Sequence, residues 1–275
     1  MKYNAITADS VLQALNNGQF VPYIQPVVSA SDLSVSGGEL LVRWHTTTGD
    51  IIPPAYFIEQ VETCGLLPAM TQQLVRQVVS GLAGLGTARQ KRFQLAVNVT
   101  PALLADRDFT QMCLALAGEN RIRLVLELTE QRPFCITHRT ERILCQLSDA
   151  GVEFALDDFG SGYSTLSYLK YFPVSYIKVD KTFIRDVLWE DTSRHIVECV
   201  VSLAEKIGVR TVAEGVETQA QAKYLQALGI YYFQGYYFGR PQTLTVFRKG
   251  GPVIKTRLGH VFRALVLPAV REDAC

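Results

Sequence analysis

Gly151-Val152-Glu153-Phe154-Ala155-Leu156-Asp157-Asp158-Phe159-Gly160-Ser161-Gly162-Tyr163-Ser164 is an apolar run with partial alternation, the pattern of a strand, that ends on two adjacent carboxylates and a glycine-containing loop. Ionised carboxylates without partners are costly to desolvate, so packing alone does not account for paired acids at the end of a buried strand. Adjacent Asp residues can ligate one or two divalent cations, which removes that cost. Two solvated Asp at a turn would leave the same local trace, so the rest of the chain decides.

Upstream, strands are expected at 19–28 and 35–44, with Pro22 and Pro26 suiting an edge or a strand end. Too few residues separate these two runs for a crossover helix, so they pair as antiparallel neighbours. Further strands are expected at 93–98, 124–127, 152–158, 176–180, 209–214 and 230–234. Helices are expected at 55–63, 68–84, 137–150, 164–171, 192–207 and 218–228, and Thr100-Pro101 reads as a cap with Pro at the first helical position. From the third strand on, the spacing of roughly 20 to 35 residues predicts right-handed parallel βαβ units. Eight strands favour closure, so the expected fold is α/β, a TIM-like (β/α)8 barrel in which one of the first two strands runs against the rest.

The chain has 275 residues, 48% hydrophobic and 19% charged, with net charge +1. That length suits one barrel domain, read as 1–248. The tail 249–275, broken at Gly250-Gly251-Pro252, receives no role. Near-neutral charge gives no electrostatic case for a nucleic-acid polymer or an acidic membrane as partner. The first residues lack an apolar signal core and no apolar run reaches spanning length, so no membrane segment is expected. Cys64, Cys113, Cys135, Cys145, Cys199 and Cys275 are scattered without zinc-type spacing, which reads as reduced thiols in a cytoplasmic protein, several packed on helices.

The expected strands end in Asn98, Glu127, Asp157-Asp158, Glu214 and Gln234, with Lys178 near the end of its own. In a barrel these ends converge on one rim, where the chemistry of such folds sits. Oxygen ligands without Cys or His point to Mg²⁺ or Mn²⁺ rather than zinc. Acids in this number suit two ions about 3.5–4 Å apart, as used for in-line phosphoryl displacement. A rim lysine can position the nucleophilic water. Glu39, Leu41 and Arg43 share one strand face, and Arg43 suits a bidentate phosphate clamp, although Glu39 and Arg43 could equally form a buried structural pair. Physics alone reaches a two-metal phosphoester hydrolase and stops short of its substrate.

At these residues the sequence resembles the EAL-domain family of bacterial cyclic di-GMP phosphodiesterases, over about 19–241. Glu39-Leu40-Leu41 with Arg43-Trp44 stands at the family's name motif, with Leu40 in place of the usual Ala. Val97-Asn98-Val99-Thr100-Pro101, Leu126-Glu127-Leu128-Thr129-Glu130, Asp157-Asp158-Phe159-Gly160-Ser161-Gly162-Tyr163, Ile177-Lys178-Val179-Asp180, Ala213-Glu214-Gly215-Val216-Glu217 and Gln234-Gly235-Tyr236 also match. The resemblance implies a barrel with an antiparallel first strand. It implies Glu39, Asn98, Glu127 and Asp157 around one Mg²⁺ or Mn²⁺, and Asp157, Asp158 and Glu214 around a second; Ca²⁺, with longer bonds and looser coordination, is expected to inhibit.

Lys178 would position the nucleophile, with Glu39, Asp158 and Glu214 also catalytic, and the product would be linear pGpG. Leu41 and Arg43 would contact ligand phosphate and sugar, Gln25 would lie near the ligand, and Gln234 would order water. Glu130 would anchor the loop 159–165 and couple the site to a homodimer interface. Asp180 and Glu217 could be structural or functional. The four His match no family role. Alternatives are a catalytically silent nucleotide receptor or protein-interaction regulator, and a hydrolase of another phosphodiester. Regulation would come from dimerisation, the tail or a further regulatory protein.

Overall fold

The computed structural model of the protein describes residues 6–82, 92–119, 121–129, 137–160 and 165–250. Glu130, residues 161–164 of the glycine loop, Cys135, Cys275, His260 and the tail from 251 onward lie outside them.

The opening hairpin joins β1 (Phe20–Ser29) to β2 (Val35–His45), with Gln25 opposite Glu39 and Tyr23 opposite Leu41. A two-residue strand, β3 (Ile51–Ile52), extends β2 at Trp44 and His45. From β2 the sheet continues in parallel through β4 (Phe93–Val99), β5 (Ile122–Thr129), β6 (Glu153–Phe159), β7 (Tyr176–Val179), β8 (Arg210–Ala213) and β9 (Tyr232–Phe233). β9 returns to β1 in antiparallel pairing, which closes an eight-strand barrel with β1 as the strand of opposite sense. β10 (Gln242–Thr243) adds to β1 at Tyr23 and Ile24.

Around this barrel lie α1 (Ala8–Asn16), α2 (Ile58–Thr63), α3 (Leu67–Leu82), α4 (Pro101–Ala105), α5 (Arg107–Ala117), α6 (His138–Asp149), α7 (Thr165–Tyr171), α8 (Lys181–Asp186), α9 (Asp191–Ile207), α10 (Gln219–Leu228) and α11 (Leu244–Arg248). The expected helix at 55–63 splits into a 3₁₀ turn, Pro54–Tyr56, and α2. The helix opened by Thr100-Pro101 breaks at Asp106, whose side chain accepts from the Phe109 amide at 2.8 Å and starts α5. No described helix is long and apolar enough to cross a membrane. Cys113 on α5 is buried, but Cys145 on α6 and Cys199 on α9 face solvent, so helical placement does not pack them as expected.

Strand alternation sets the interior in three layers. Ala96, Val125, Ala155, Tyr176 and Val212 form a separate buried cluster, with Tyr232 packed on it. Each lies two residues before a polar strand-end residue: Asn98, Glu127, Asp157, Lys178, Glu214 and Gln234. Two residues further back, Arg210 and Arg123 pair with Glu153 (2.7 and 3.4 Å), and Arg123 also donates to Gln94. The Tyr176 hydroxyl closes this base by donating to Glu153. The apolar layer thus keeps the base charges apart from those at the mouth. Outside the barrel, the opposite strand faces pack on the helices in one large core that includes Leu40, Trp44, Leu126 and Ile177.

Candidate active site

Glu39 enters the mouth from β2, and both its oxygens are engaged: Asn98 Nδ2 donates to Oε1 at 2.7 Å and Gln234 Nε2 to Oε2 at 2.6 Å. The three residues come from β2, β4 and the end of β9, far apart in sequence. Gly235 fixes the last of them, because a Cβ there would stand 2.2 Å from the Val216 carbonyl oxygen. That close approach lets the chain turn immediately after Gln234.

Lys178 is buried and sits among three acids: Nζ is 2.7 Å from Asp157 Oδ1, 2.8 Å from Glu214 Oε1 and 2.9 Å from Glu127 Oε1. Burial alone would lower the ammonium's pKa, but the charges of Asp157, Glu127, Glu214 and Glu39 override it and hold the lysine well above its usual value. Burial also raises the carboxyls. Glu127 is pushed well above the usual range, against the pull of Lys178 and with the help of its acidic neighbours. Glu214 rises to about 8, again through burial, with Lys178 opposing and Asp157 and Glu39 reinforcing.

Asp158 shows how two consecutive strand residues reach one site. Regular alternation would point Asp157 and Asp158 to opposite faces. Asp158 instead has φ +53°, and the β6–β7 register shifts between Leu156 and Phe159. Asp tolerates this left-handed conformation better than most residues, though at some cost. Its carboxyl rises to about 6 through burial, the neighbouring Asp157 charge and a hydrogen bond with Asp180. Asp180 is held low: burial would raise it, but its bonds to the Thr182 amide and hydroxyl prevail. It also caps α8, so it joins the site through Asp158. Glu217 is exposed and does not join; its amide donates to Gln221 Oε1 in the cap of α10.

The donor set fits a hard divalent cation. One oxygen each from Asp157, Asp158 and Glu214 lie within 4.8 Å of one another. Glu127 Oε2 and Gln234 Oε1 are buried with no hydrogen-bond partner. Oxygen atoms left this way, beside more carboxylates than one ammonium can balance, are the surroundings that Mg²⁺ or Mn²⁺ accepts. Leu40 lies in the outer core and Leu41 on the mouth face, as alternation requires. Gln25 stands opposite Glu39, and Arg43 lies two residues beyond Leu41, donating from Nη1 to the Val42 carbonyl at 2.7 Å.

Three features were not anticipated: the left-handed Asp158, the charged base of the barrel, and a Tyr23–His45 pair beside Arg43. Tyr23 could have been found by counting two residues back from Gln25 along the same face.

Comparison with known proteins agrees with this geometry. The family model described as "EAL domain" matches residues 8–241. The Cyclic di-GMP phosphodiesterase PdeL of Escherichia coli K12 is 41% identical over 243 residues, which cover 87% of this chain and 67% of PdeL. Among solved structures, the PaMucR phosphodiesterase in complex with c-di-GMP superposes with a TM-score of 0.77 at 31% identity, covering 87% of this chain and 98% of that one. The Klebsiella pneumoniae BlrP1 manganese/cy-diGMP complex gives a TM-score of 0.69 at 32% identity, covering 82% of this chain and 57% of BlrP1. With its barrel closed through an antiparallel β1 and its motifs gathered at one mouth, the chain belongs to the EAL domain family.

Proposed function

We propose that this chain is a metal-dependent phosphodiesterase that hydrolyses cyclic di-GMP to linear pGpG. The observation that carries the reading is the group of buried Glu127 and half-buried Asp157 and Glu214 around buried Lys178, with Asp158 and Glu39 beside it. Relatives described as cyclic di-GMP phosphodiesterases, and a neighbour described as a manganese complex, support it. Glu39, Asn98, Glu127 and Asp157 would hold one Mg²⁺ or Mn²⁺, and Asp157, Asp158 and Glu214 a second. When bound, such ions supply a water made nucleophilic at neutral pH and offset the charge on the phosphate.

The protein's own groups do the rest. Lys178 Nζ, kept protonated by its acids, would give up one of its three carboxylate contacts to donate to the attacking water, orienting it rather than acting as a base. Glu39 is held in place by Asn98 and Gln234, whose Oε1 remains available to accept from a water. Arg43 clamps a phosphate and Leu41 packs against sugar, with Gln25 next to the ligand. Water loses a proton to solvent as its oxygen bonds to phosphorus, the ester bond to the leaving ribose oxygen breaks, that oxygen takes up a proton from solvent as a hydroxyl, and the ring opens. Exposed Leu166 and Tyr171 on α7, just after the glycine loop, support a homodimer contact coupled to the site.

The test is incubation with cyclic di-GMP and Mn²⁺ or Mg²⁺, followed by chromatography for pGpG. Product that requires the metal supports the reading. Binding without product would favour a nucleotide receptor, and neither would favour another phosphodiester.

A further inference from the structure

Beyond Glu39, the inward faces of β1 and β2 continue as a ladder out of the barrel: Gln25 opposite Glu39, Tyr23 opposite Leu41, Val21 opposite Arg43, then His45. At the rise of an extended strand, the Arg43 Cα stands about 13 Å along β2 from that of Glu39, so an arginine reaching straight off the strand lies beyond a phosphorus held beside Glu39. Arg43 therefore faces the part of a cyclic dinucleotide that does not react.

The Arg43 guanidinium lies 5.5 Å from the centroid of the Tyr23 ring. The Tyr23 hydroxyl shares a hydrogen bond with His45 Nε2 at 3.2 Å, and the two rings meet edge-on at 5.8 Å. His45 is itself fixed, because its amide donates to the Gln19 carbonyl at 2.8 Å and it pairs with Ile51 of β3. The neighbouring Trp44 Nε1 donates to the Gln19 side chain at 2.9 Å. All three mouth-facing side chains are half-buried. Arg43 thus has an aromatic face on one side and a backbone carbonyl on another, which removes rotamers that a free arginine would have to give up on binding.

We infer that Tyr23, tied by His45, is a positioning residue that holds Arg43 for the distal phosphate of the cyclic dinucleotide. This rests on the substrate reading above and adds to it two residues that act through Arg43. Removing Tyr23 weakens ligand binding and leaves the chemical step unchanged, because the acids and Lys178 are untouched.

The test is calorimetric titration of cyclic di-GMP in Ca²⁺, to suppress turnover, with kcat and KM measured separately in Mn²⁺. Tyr23→Leu should weaken binding by about three- to tenfold, the range of a cation–π contact at a partly exposed site, and raise KM with kcat within about twofold. The decisive comparison is a double-mutant cycle: in an Arg43→Ala background, Tyr23→Leu should cost nothing further. Should Tyr23→Leu fold poorly, His45→Ala carries the same test, with about threefold weaker binding expected. An unchanged Kd in these variants, or losses that add to that of Arg43→Ala, would overturn the inference alone. A wild-type protein that does not bind cyclic di-GMP would overturn the substrate reading and this inference with it.

Discussion

On the proposed reading, single side chains at the mouth divide between those that would hold cations and those that would hold the holders. Glu39 belongs to the first group. Glu39→Ala should reduce turnover by on the order of 10³, since it uncovers a metal position and frees both Asn98 and Gln234. A rate near wild type in the pGpG assay would show that Glu39 is misassigned. Buried Lys178 is the balancing charge for buried Glu127 and half-buried Asp157 and Glu214. Lys178→Met should therefore destabilise the protein in EDTA by about 3–5 kcal/mol in urea unfolding, with a smaller deficit in Mn²⁺. Equal stability of mutant and wild type in EDTA would contradict that electrostatic account. Far from the site, burial pushes the Cys113 thiol up to about 12, so at pH 8 it stays protonated. Mass spectrometry after thiol labelling should find Cys145 and Cys199 modified in the native protein and Cys113 only in denaturant. Labelling of native Cys113 at the same rate would show its pocket to be open.

Elements place these side chains through their ends. The Thr100 side chain accepts from the Leu103 amide at 3.3 Å and begins α4 immediately after the strand that carries Asn98. Thr100→Ala should lower stability by about 1 kcal/mol in urea unfolding, the usual loss for such a cap, while KM stays unchanged. No loss of stability would mean that the turn is held by something other than the cap. The same logic explains what could be read beforehand. The eight barrel strands carry β-branched and apolar runs with polar ends, and a period of two makes those ends visible without coordinates. The elements that escaped are short or weakly marked. β3 and β10 are two residues each and, unlike the equally short β9, lie in no longer apolar run. α8 has six residues and α1 nine, too few turns for either to show the repeat of a longer helix. The conformation of Asp158 was hidden for another reason: a left-handed residue leaves no periodic trace, although it is what brings both aspartates to one face.

Across the whole molecule, the barrel separates two sets of charges with one apolar layer. At the base Arg123 and Arg210 share Glu153 and leave a net positive charge, whereas at the mouth the acids outnumber Lys178. Only the mouth is left with a demand for added cations. Ca²⁺ should therefore bind there and inhibit, because its longer bonds and looser coordination suit the set poorly. Full turnover with Ca²⁺ as the sole metal would contradict this. Capture of a pair of hard cations by strand-end oxygens underlies the proposed function, and anomalous diffraction from crystals soaked in Mn²⁺ would locate them. Two peaks are expected, one among Glu39, Asn98, Glu127 and Asp157 and one among Asp157, Asp158 and Glu214. A map with no peak among these residues, or with the carboxylates dispersed, would contradict it.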